Sequence, residues 1–559
     1  MRRFVRFTSL LALLAVLTLA GCSKKEDSGA AGGISPTAPD SELLERLPVT
    51  TIGFLYGETG SEAYANFKKS EWYKPVGVYL DKLASMESDL PGVGALINSA
   101  KKLPSLSAEG VKDGTETVLF LAKGDAQSIA QVGAFIKLPT PVKPEETLAA
   151  LESGFKEGGF PTSREKIGDI EVLAFTVQMK DGSSHRLLAA ALPDRFGLAS
   201  GAPLLERLIK PLESIPENDR GIRALKNLPT FQRAKTRSDS VGGQIAWGFL
   251  DISVLEDIVR KAIPAETPEG ANSPLEALPF ETVSYARSMT TTLHDYVWLG
   301  TKPGEIPEEA LTALASAGAH PGVKNAPANA VGVLSIDGAV IRAAKIGALS
   351  KASPEEKSQI ESATAALEGL KGLSLVVRNA AGASPFPELT FVIDTGDPAA
   401  LHGTLKIMLG GLAASGGLPV SSWQTKEIAG SKVDFMSSPI GVGLFIGTVK
   451  NAVVLSSAEG AFQDLLGGKT STEVAQFFSS DHLKGDKAPV ALLYLSGNRL
   501  VGLIESVQAS MAMFTGGKPL VEPEEIASLR SLGAVGTAVS FGNDGFTIHT
   551  TYVTEPPAK

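Results

Sequence analysis

The sequence predicts an α+β fold of two tandem homologous units, each a mixed or mostly antiparallel sheet with helices packed on one face. Three observations lead there. The chain has 559 residues, 43% hydrophobic and 20% charged, with 58 glycines and only 6% aromatic residues, so aliphatic material for a core is ample and the composition is globular. Short β-branched and aromatic runs alternate with amphipathic helical patterns. Five segments also recur in one order.

The first repeat pairs Ile52-Gly53-Phe54-Leu55 with Val331-Gly332-Val333-Leu334. The second pairs residues 118–129, an apolar run ending at Gly124-Asp125 before a helical pattern, with residues 390–401 and their turn Gly396-Asp397. Lys166-Ile167-Gly168 onward pairs with Glu427-Ile428-Ala429 onward, and Leu198-Ala199-Ser200 with Leu455-Ser456-Ser457. Finally, Trp247-Gly248-Phe249-Leu250 pairs with Leu492-Leu493-Tyr494-Leu495. The offsets of 279, 272, 261, 257 and 245 shrink steadily, which implies shorter loops in a second copy.

Each copy reads as strand and helix, a longer helical connection, strand and helix, a strand pair, helix, strand and helix, then a closing strand pair. The run Ile170–Gln178 and residues 186–192, joined across Lys180-Asp181-Gly182, make a hairpin. The closing strands fall near 282–298 and 535–553, where Tyr296, Trp298, Phe546, Ile548 and Tyr552 cluster. The copies span 49–305 and 326–557. Between them, 306–325 is expected as a linker, in a stretch that carries Pro307, Pro321 and Pro327. The most apolar helical patterns, 399–412 and 500–514, contain Lys406 and Glu505 and read as buried amphipathic helices.

The amino terminus carries Arg2, Arg3 and Arg6, then an apolar run from Leu10 to Ala20, then Leu19-Ala20-Gly21-Cys22 with the only cysteine of the chain. The apolar run is too short to span a bilayer of about 30 Å and reads as a secretory signal peptide, residues 1–21. Leu19-Ala20-Gly21-Cys22 resembles the lipobox of bacterial lipoproteins. That resemblance implies cleavage between Gly21 and Cys22, acylation of Cys22 with diacylglycerol and a palmitate-type chain, and a membrane-lipid partner held through Cys22. Ser23, where aspartate commonly retains such proteins at the inner membrane, implies an outer-membrane lipoprotein facing the periplasm, with surface display also open. Residues 22–48 are a Gly- and Pro-containing lipidated tether whose root-mean-square span is about 25–30 Å.

Net charge is −9, and loss of the three signal arginines takes it to −12. With no dense basic stripe, nucleic acid is excluded as a partner. With Cys22 committed to lipid, no thiol remains for a disulfide, a nucleophile or a thiolate metal site.

The candidate chemistry resolves into structural readings. His294-Asp295 lies in a strand, where neighbours face opposite ways; Asp481-His482 reads as a solvated turn. His185, His320, His402 and His549 lack the spacing of a helical metal site. Ser200 and Ser456/Ser457 sit at strand-to-helix turns without G-x-S-x-G and are expected to cap helices, as are Asp125 and Asp397. Gly441-Val442-Gly443-Leu444-Phe445-Ile446-Gly447 lies inside an apolar strand and opens no helix. Asp251, Glu256 and Asp257 read as a helix start.

No catalytic, metal or cofactor residue is assigned, and no cofactor is expected. The leading function is a non-catalytic binding or scaffold lipoprotein with an envelope protein partner. The alternatives are a periplasmic carrier of a lipid or other apolar ligand, and a hydrolase whose site is assembled from distant loops.

Overall fold

The computed structural model describes residues 41–70, 73, 114–124, 130–178, 184–262, 279–290, 292–324, 326–327, 329–367, 369–379, 387–415, 422–437, 443–468, 472–479, 488–511, 519, 521, 523–542 and 544–554. The chain divides into two compact units, 1–300 and 301–559.

Unit 1 runs α1 (Glu42–Glu45), β1 (Thr51–Glu58), α2 (Glu62–Lys69), β2 (Glu116–Lys123), β3 (Ala130–Lys137) and α3 (Pro144–Glu157). It continues through β4 (Thr162–Ile167), β5 (Ile170–Gln178), β6 (Ser184–Leu192), β7 (Arg195–Ala199), α4 (Ala202–Ile209), α5 (Gly221–Lys226) and α6 (Pro229–Asp239). It closes with β8 (Gln244–Asp251), α7 (Ile252–Ala262), β9 (Phe280–Met289) and β10 (Leu293–Thr301). The strand order is β4-β5-β6-β7-β3-β2-β1-β8-β9-β10, with every described register antiparallel.

Unit 2 opens with α8 (Glu308–Ala315), α9 (Pro321–Lys324), β11 (Ala330–Asp337), α10 (Gly338–Lys351) and α11 (Pro354–Thr364). Then come β12 (Leu370–Arg378), β13 (Glu388–Thr395), α12 (Pro398–Ser415), β14 (Gln424–Ile428), β15 (Ser431–Ser437), β16 (Gly443–Val449) and β17 (Ala452–Ser456). The rest is α13 (Glu459–Leu466), α14 (Thr472–Ser479), β18 (Pro489–Ser496), α15 (Gly497–Met511), α16 (Pro523–Ser531), β19 (Leu532–Gly542) and β20 (Gly545–Thr554). Its order, β14-β15-β16-β17-β13-β12-β11-β18-β19-β20, repeats that of unit 1 strand for strand.

Helices cover both faces of the unit 1 sheet, one face more than the sequence suggests. Along β2, Val118, Phe120 and Ala122 face a core with Leu204, Leu208, Ile222 and Phe231, whereas Leu119 and Leu121 face Leu148, Leu151 and Phe155 of α3 and Leu255 and Ile258 of α7. A strand buried on both sides loses the apolar/polar alternation that reveals a one-sided sheet.

Three further readings change. Of the expected linker 306–325, residues 306–324 are built into unit 2, because Ala310 and Leu314 of α8 pack with Ala343, Val490 and Phe541, and Val323 of α9 packs with Val333 and Tyr494. The second correspondence lies one strand out: it equates β2 with β13, but β2 pairs with β1 as β12 pairs with β11. The register counterpart of β13 is β3, matching Leu389 to Val132 at an offset of 257 rather than 272. The shortening is therefore concentrated between the first two strands and is not steady. Ser200 caps no helix either: Gly201 holds the N-cap of α4 without a side-chain bond, and Ser200 Oγ accepts the Val132 N–H at 3.1 Å. Ser457 does the same for Leu389 N–H at 2.9 Å. Ser456 accepts the Ala458 N–H at 3.2 Å, at the start of α13.

Gly53 and Gly332 hold the same place in β1 and β11. A Cβ on Gly53 would stand 2.7 Å from Leu250 Cδ1 and 2.9 Å from the Phe249 carbonyl; on Gly332 it would stand 2.9 Å from Leu495 Cδ2 and 3.3 Å from the Tyr494 carbonyl. Each glycine admits the neighbouring strand. Gly53→Ala and Gly332→Ala should each destabilise their own unit by about 1–3 kcal/mol, as expected for overpacking, seen in calorimetry as one unit's transition shifting down while the other's stays.

Candidate functional site

Cys22 and Gly21, the lipid attachment and cleavage positions, lie outside the described residues, as do Asp125, Asp481, His482 and the loop at 180–182. The expected tether of residues 22–48 is too long at its carboxyl end, since residues 41–48 are built into unit 1. Leu43, Leu44 and Leu47 of this short α1 region enter the core. Arg46, 1% exposed, donates from Nη1 to the carbonyl oxygens of Leu208 at 3.3 Å and Lys210, and from Nη2 to Glu42 at 2.5 Å. Its guanidinium lies 5.4 Å from the Phe135 ring centroid. Arg207 reciprocates, donating to the carbonyls of Arg46 at 2.9 Å and Leu47 at 2.8 Å.

A polar cluster adjoins this plug. Glu116 accepts from Ser41, from the Tyr56 hydroxyl at 3.1 Å and from Lys137 at 3.2 Å. Burial pushes the Glu58 carboxyl above the usual range, and the neighbouring Glu116 charge adds to that; burial and the same two carboxylates raise the Tyr56 phenol. This grouping joins residues 41, 56, 58, 116 and 137, so no local motif could have revealed it.

The histidines and acids fall into structural places. Asp295 accepts from Arg287 at 2.6 and 2.8 Å and from Tyr285 at 2.8 Å, while buried His294 meets Thr292 at 2.6 Å. His320 bridges Ser335 at 3.1 Å and the Pro489 carbonyl at 2.8 Å, and burial lowers its pKa. His549 lies 3.4 Å from Thr551. His185 is placed in β6. Asp251 accepts the Val254 N–H at 3.1 Å and Asp397 the Ala400 N–H at 3.0 Å, both at helix starts as expected. Residues 443–447 of the glycine-rich run form part of β16. Among the described residues, no group of three or more His, Cys, Asp or Glu is arranged to hold a metal ion, and no helix is long and apolar enough to cross a membrane.

The remaining feature distinguishes the two units. Across β13, β12, β11 and β18 of unit 2, three cross-strand rows share one sheet face: Leu389-Val377-Gly332-Leu495, Phe391-Leu375-Leu334-Leu493 and Ile393-Leu373-Ile336-Ala491. None of these positions carries a charge. Leu334 is 41% and Leu389 38% exposed, and all the others except Gly332 are half-buried. In unit 1 the register-matched Leu119, Leu121, Val132 and Ala134 are 3 to 6% exposed, whereas Leu55, Ile136 and Leu250 are half-buried as in unit 2, so the difference is confined to β12 and β13.

The covering helices account for the difference. In unit 1, α3 is sealed by Leu148, Leu151 and Phe155, the last stacked on Phe175 at 3.9 Å between centroids, beside fully buried Leu173. In unit 2, α12 packs against β13, β16 and β17, yet none of its residues 398–411 is buried, and Ile407 and Met408 face solvent. The position matching Leu173 is Asp434, which holds α12 by polar contacts: Lys406 Nζ at 2.8 Å and His402 Nε2 at 3.3 Å. Trp423 Nε1 adds a bond to the Lys406 carbonyl at 3.1 Å. Burial pushes the Asp434 carboxyl up, but hydrogen bonds from Lys406 and Thr425 outweigh it and hold the group below the usual range.

No family model matches the chain, and neither a curated protein nor a solved structure matches it.

Two outcomes follow for the plug. Leu44→Ala should cost about 2–5 kcal/mol, the range for a buried leucine, read as a lower unit 1 melting temperature. Because the folded-state pKa of Glu58 is raised, its contribution is present at low pH and is lost as pH rises through that value. Glu58→Gln should therefore raise the melting temperature at pH 7, with a smaller gain at pH 4.

Proposed function

We propose that this chain is a lipid-anchored protein of a bacterial cell envelope that binds a partner without transforming it. The observation carrying this reading is the lipobox-like Leu19-Ala20-Gly21-Cys22 after a short apolar signal. Cys22 is the acylated residue, cleavage falls between Gly21 and Cys22, and several acyl chains make the attachment effectively permanent. Ser23 favours the periplasmic face of an outer membrane. The acidic net charge gives the body no reason to seek nucleic acid or an anionic lipid surface. The shared strand order and matched glycines support descent of the two units from one duplicated ancestor.

A second reading, a carrier of a lipid or other apolar ligand, is favoured by the half-exposed uncharged strip of unit 2.

Metabolic labelling with palmitate tests the anchor. Wild-type protein should carry label in the membrane fraction, whereas Cys22→Ser should be unlabelled and unprocessed. Label retained by the variant, or none in the wild type, refutes the reading.

A further inference from the structure

We infer that His320 is an acid-sensitive latch: on taking up a proton it releases residues 318–324 from the sheet of unit 2, while the matched segment of unit 1, which has no histidine, stays closed.

The donors and acceptors around the ring allow one order of hydrogen bonds. His320 is 7% exposed, and Ser335 and Ser374 are 0 and 1% exposed, so no substrate reaches these hydroxyls and solvent does not complete the set. The Pro489 carbonyl can only accept, so the proton of the neutral ring sits on Nε2, which donates to it at 2.8 Å. Nδ1 is then an acceptor and takes the Ser335 hydroxyl at 3.1 Å. Ser335 in turn accepts the Ser374 hydroxyl at 2.7 Å, and Ser374 accepts the Gly322 N–H at 2.8 Å. A proton on Nδ1 reverses this order: Ser335 must accept from the ring and turn its own hydroxyl on Ser374, whose proton then has no acceptor among the described residues. Acid thus leaves a buried charge and an orphaned donor together, and water relieves both once the segment lifts.

Little else retains the segment. α9 is four residues long and buries Pro321, Gly322 and Val323, and the Gly322 N–H bond passes through the same serine that protonation turns. The charges nearby do not offset the burial of the ring. Asp337 of β11 favours the proton and Lys324 of α9 opposes it, but the Asp337 carboxylate is already engaged by the N–H groups of Gly318, Ala319 and Ala339. β12 presents Ser374 to the ring's chain of bonds and β18 the Pro489 carbonyl. Asp394 of β13 and Glu473 of α14 stand on elements packed against α9, and Glu473 is taken by Tyr494 and Arg499. Burial outweighs the rest, so the latched ring takes its proton below the ordinary 6.5. The closed segment therefore holds its full stability above pH 6.5 and loses it as the pH falls below, where the free imidazole is charged and the latched one is not.

Unit 1 lacks the device. The correspondence of Gly53 with Gly332 places His320, Ser335 and Asp337 where unit 1 has Ser41, Tyr56 and Glu58, with Ser41 and His320 each immediately ahead of its short helix. Ser41 gains no charge in acid, and burial favours the protonated form of Glu58, so the same fall in pH leaves that end of unit 1 intact.

Hydrogen exchange read by mass spectrometry on the full chain in mild detergent, at pH 7.5 and pH 5.5 with the intrinsic pH dependence of exchange divided out, tests this. Protection of residues 318–322 should fall about five- to tenfold at the lower pH, the weight of one histidine that is charged only when the segment is out, while that of residues 41–48 holds. His320→Gln, whose amide can still donate to the Pro489 carbonyl but binds no proton, should show the same protection at both pH values. His549→Gln, at another buried histidine of unit 2, should behave as wild type. Should His320→Gln melt early, exchange of the ring Cε1 proton in the wild-type chain gives the titration midpoint of His320 itself, expected below 6.5. Unchanged protection at pH 5.5, an equal fall in His320→Gln, loss of the fall in His549→Gln, a parallel fall at 41–48, or a ring midpoint at or above 6.5 overturns the inference.

Discussion

The fold of each unit depends on a central strand that accepts a partner on both edges. β1 lies between β2 and β8, and β11 between β12 and β18, with the β8 and β18 partners drawn from well over a hundred residues away in sequence. Such pairing is costly in loop-closure entropy and repays only once the strands sit flush. Gly53 and Gly332 permit that contact, because the backbone and leucine of the next strand occupy the volume a side chain would need. Once this centre is fixed, the meander β4 to β7 reaches it through β3, and the meander β14 to β17 through β13.

Local signals made part of this architecture legible. The β4–β5 and β14–β15 hairpins announce themselves by Gly168 and by Ala429-Gly430, all at positive φ, in the two-residue turns the strands require. The β8 and β18 runs are continuous apolar strands followed by helix starts, and both were legible. β3 was not: Ala130–Lys137 has two alanines and a glycine and gains its place through β2 and β7. Ser200 and Ser457 look like caps because they precede helices, but each is claimed by an N–H of a strand distant in sequence. The uncharged strip was invisible for a related reason. Its large side chains are themselves part of the difference, since Ile336, Leu373 and Leu493 stand where unit 1 has Gly57, Thr117 and Gly248, and that correspondence becomes visible only once the strands are in register.

One scaffold thus carries two different finishes. Burying an aliphatic or aromatic side chain contributes about 1.5–3 kcal/mol, and α3 buries several. A partly exposed ion pair contributes about 0–1 kcal/mol, and α12 relies on such contacts at Asp434. The exchange of a leucine for an aspartate at one register position goes with the change from an apolar to a polar contact under the covering helix.

The burial of residues 41–48 in unit 1 also has a mechanical meaning. With the proposed anchor at Cys22, a tug on the amino end would meet its first resistance at Leu43, Leu44, Arg46 and Leu47. These stand just ahead of the central strand, so under that proposal they would serve as a strain relief, load being dissipated in dislodging a short helix before it reached the hydrogen bonds of the sheet.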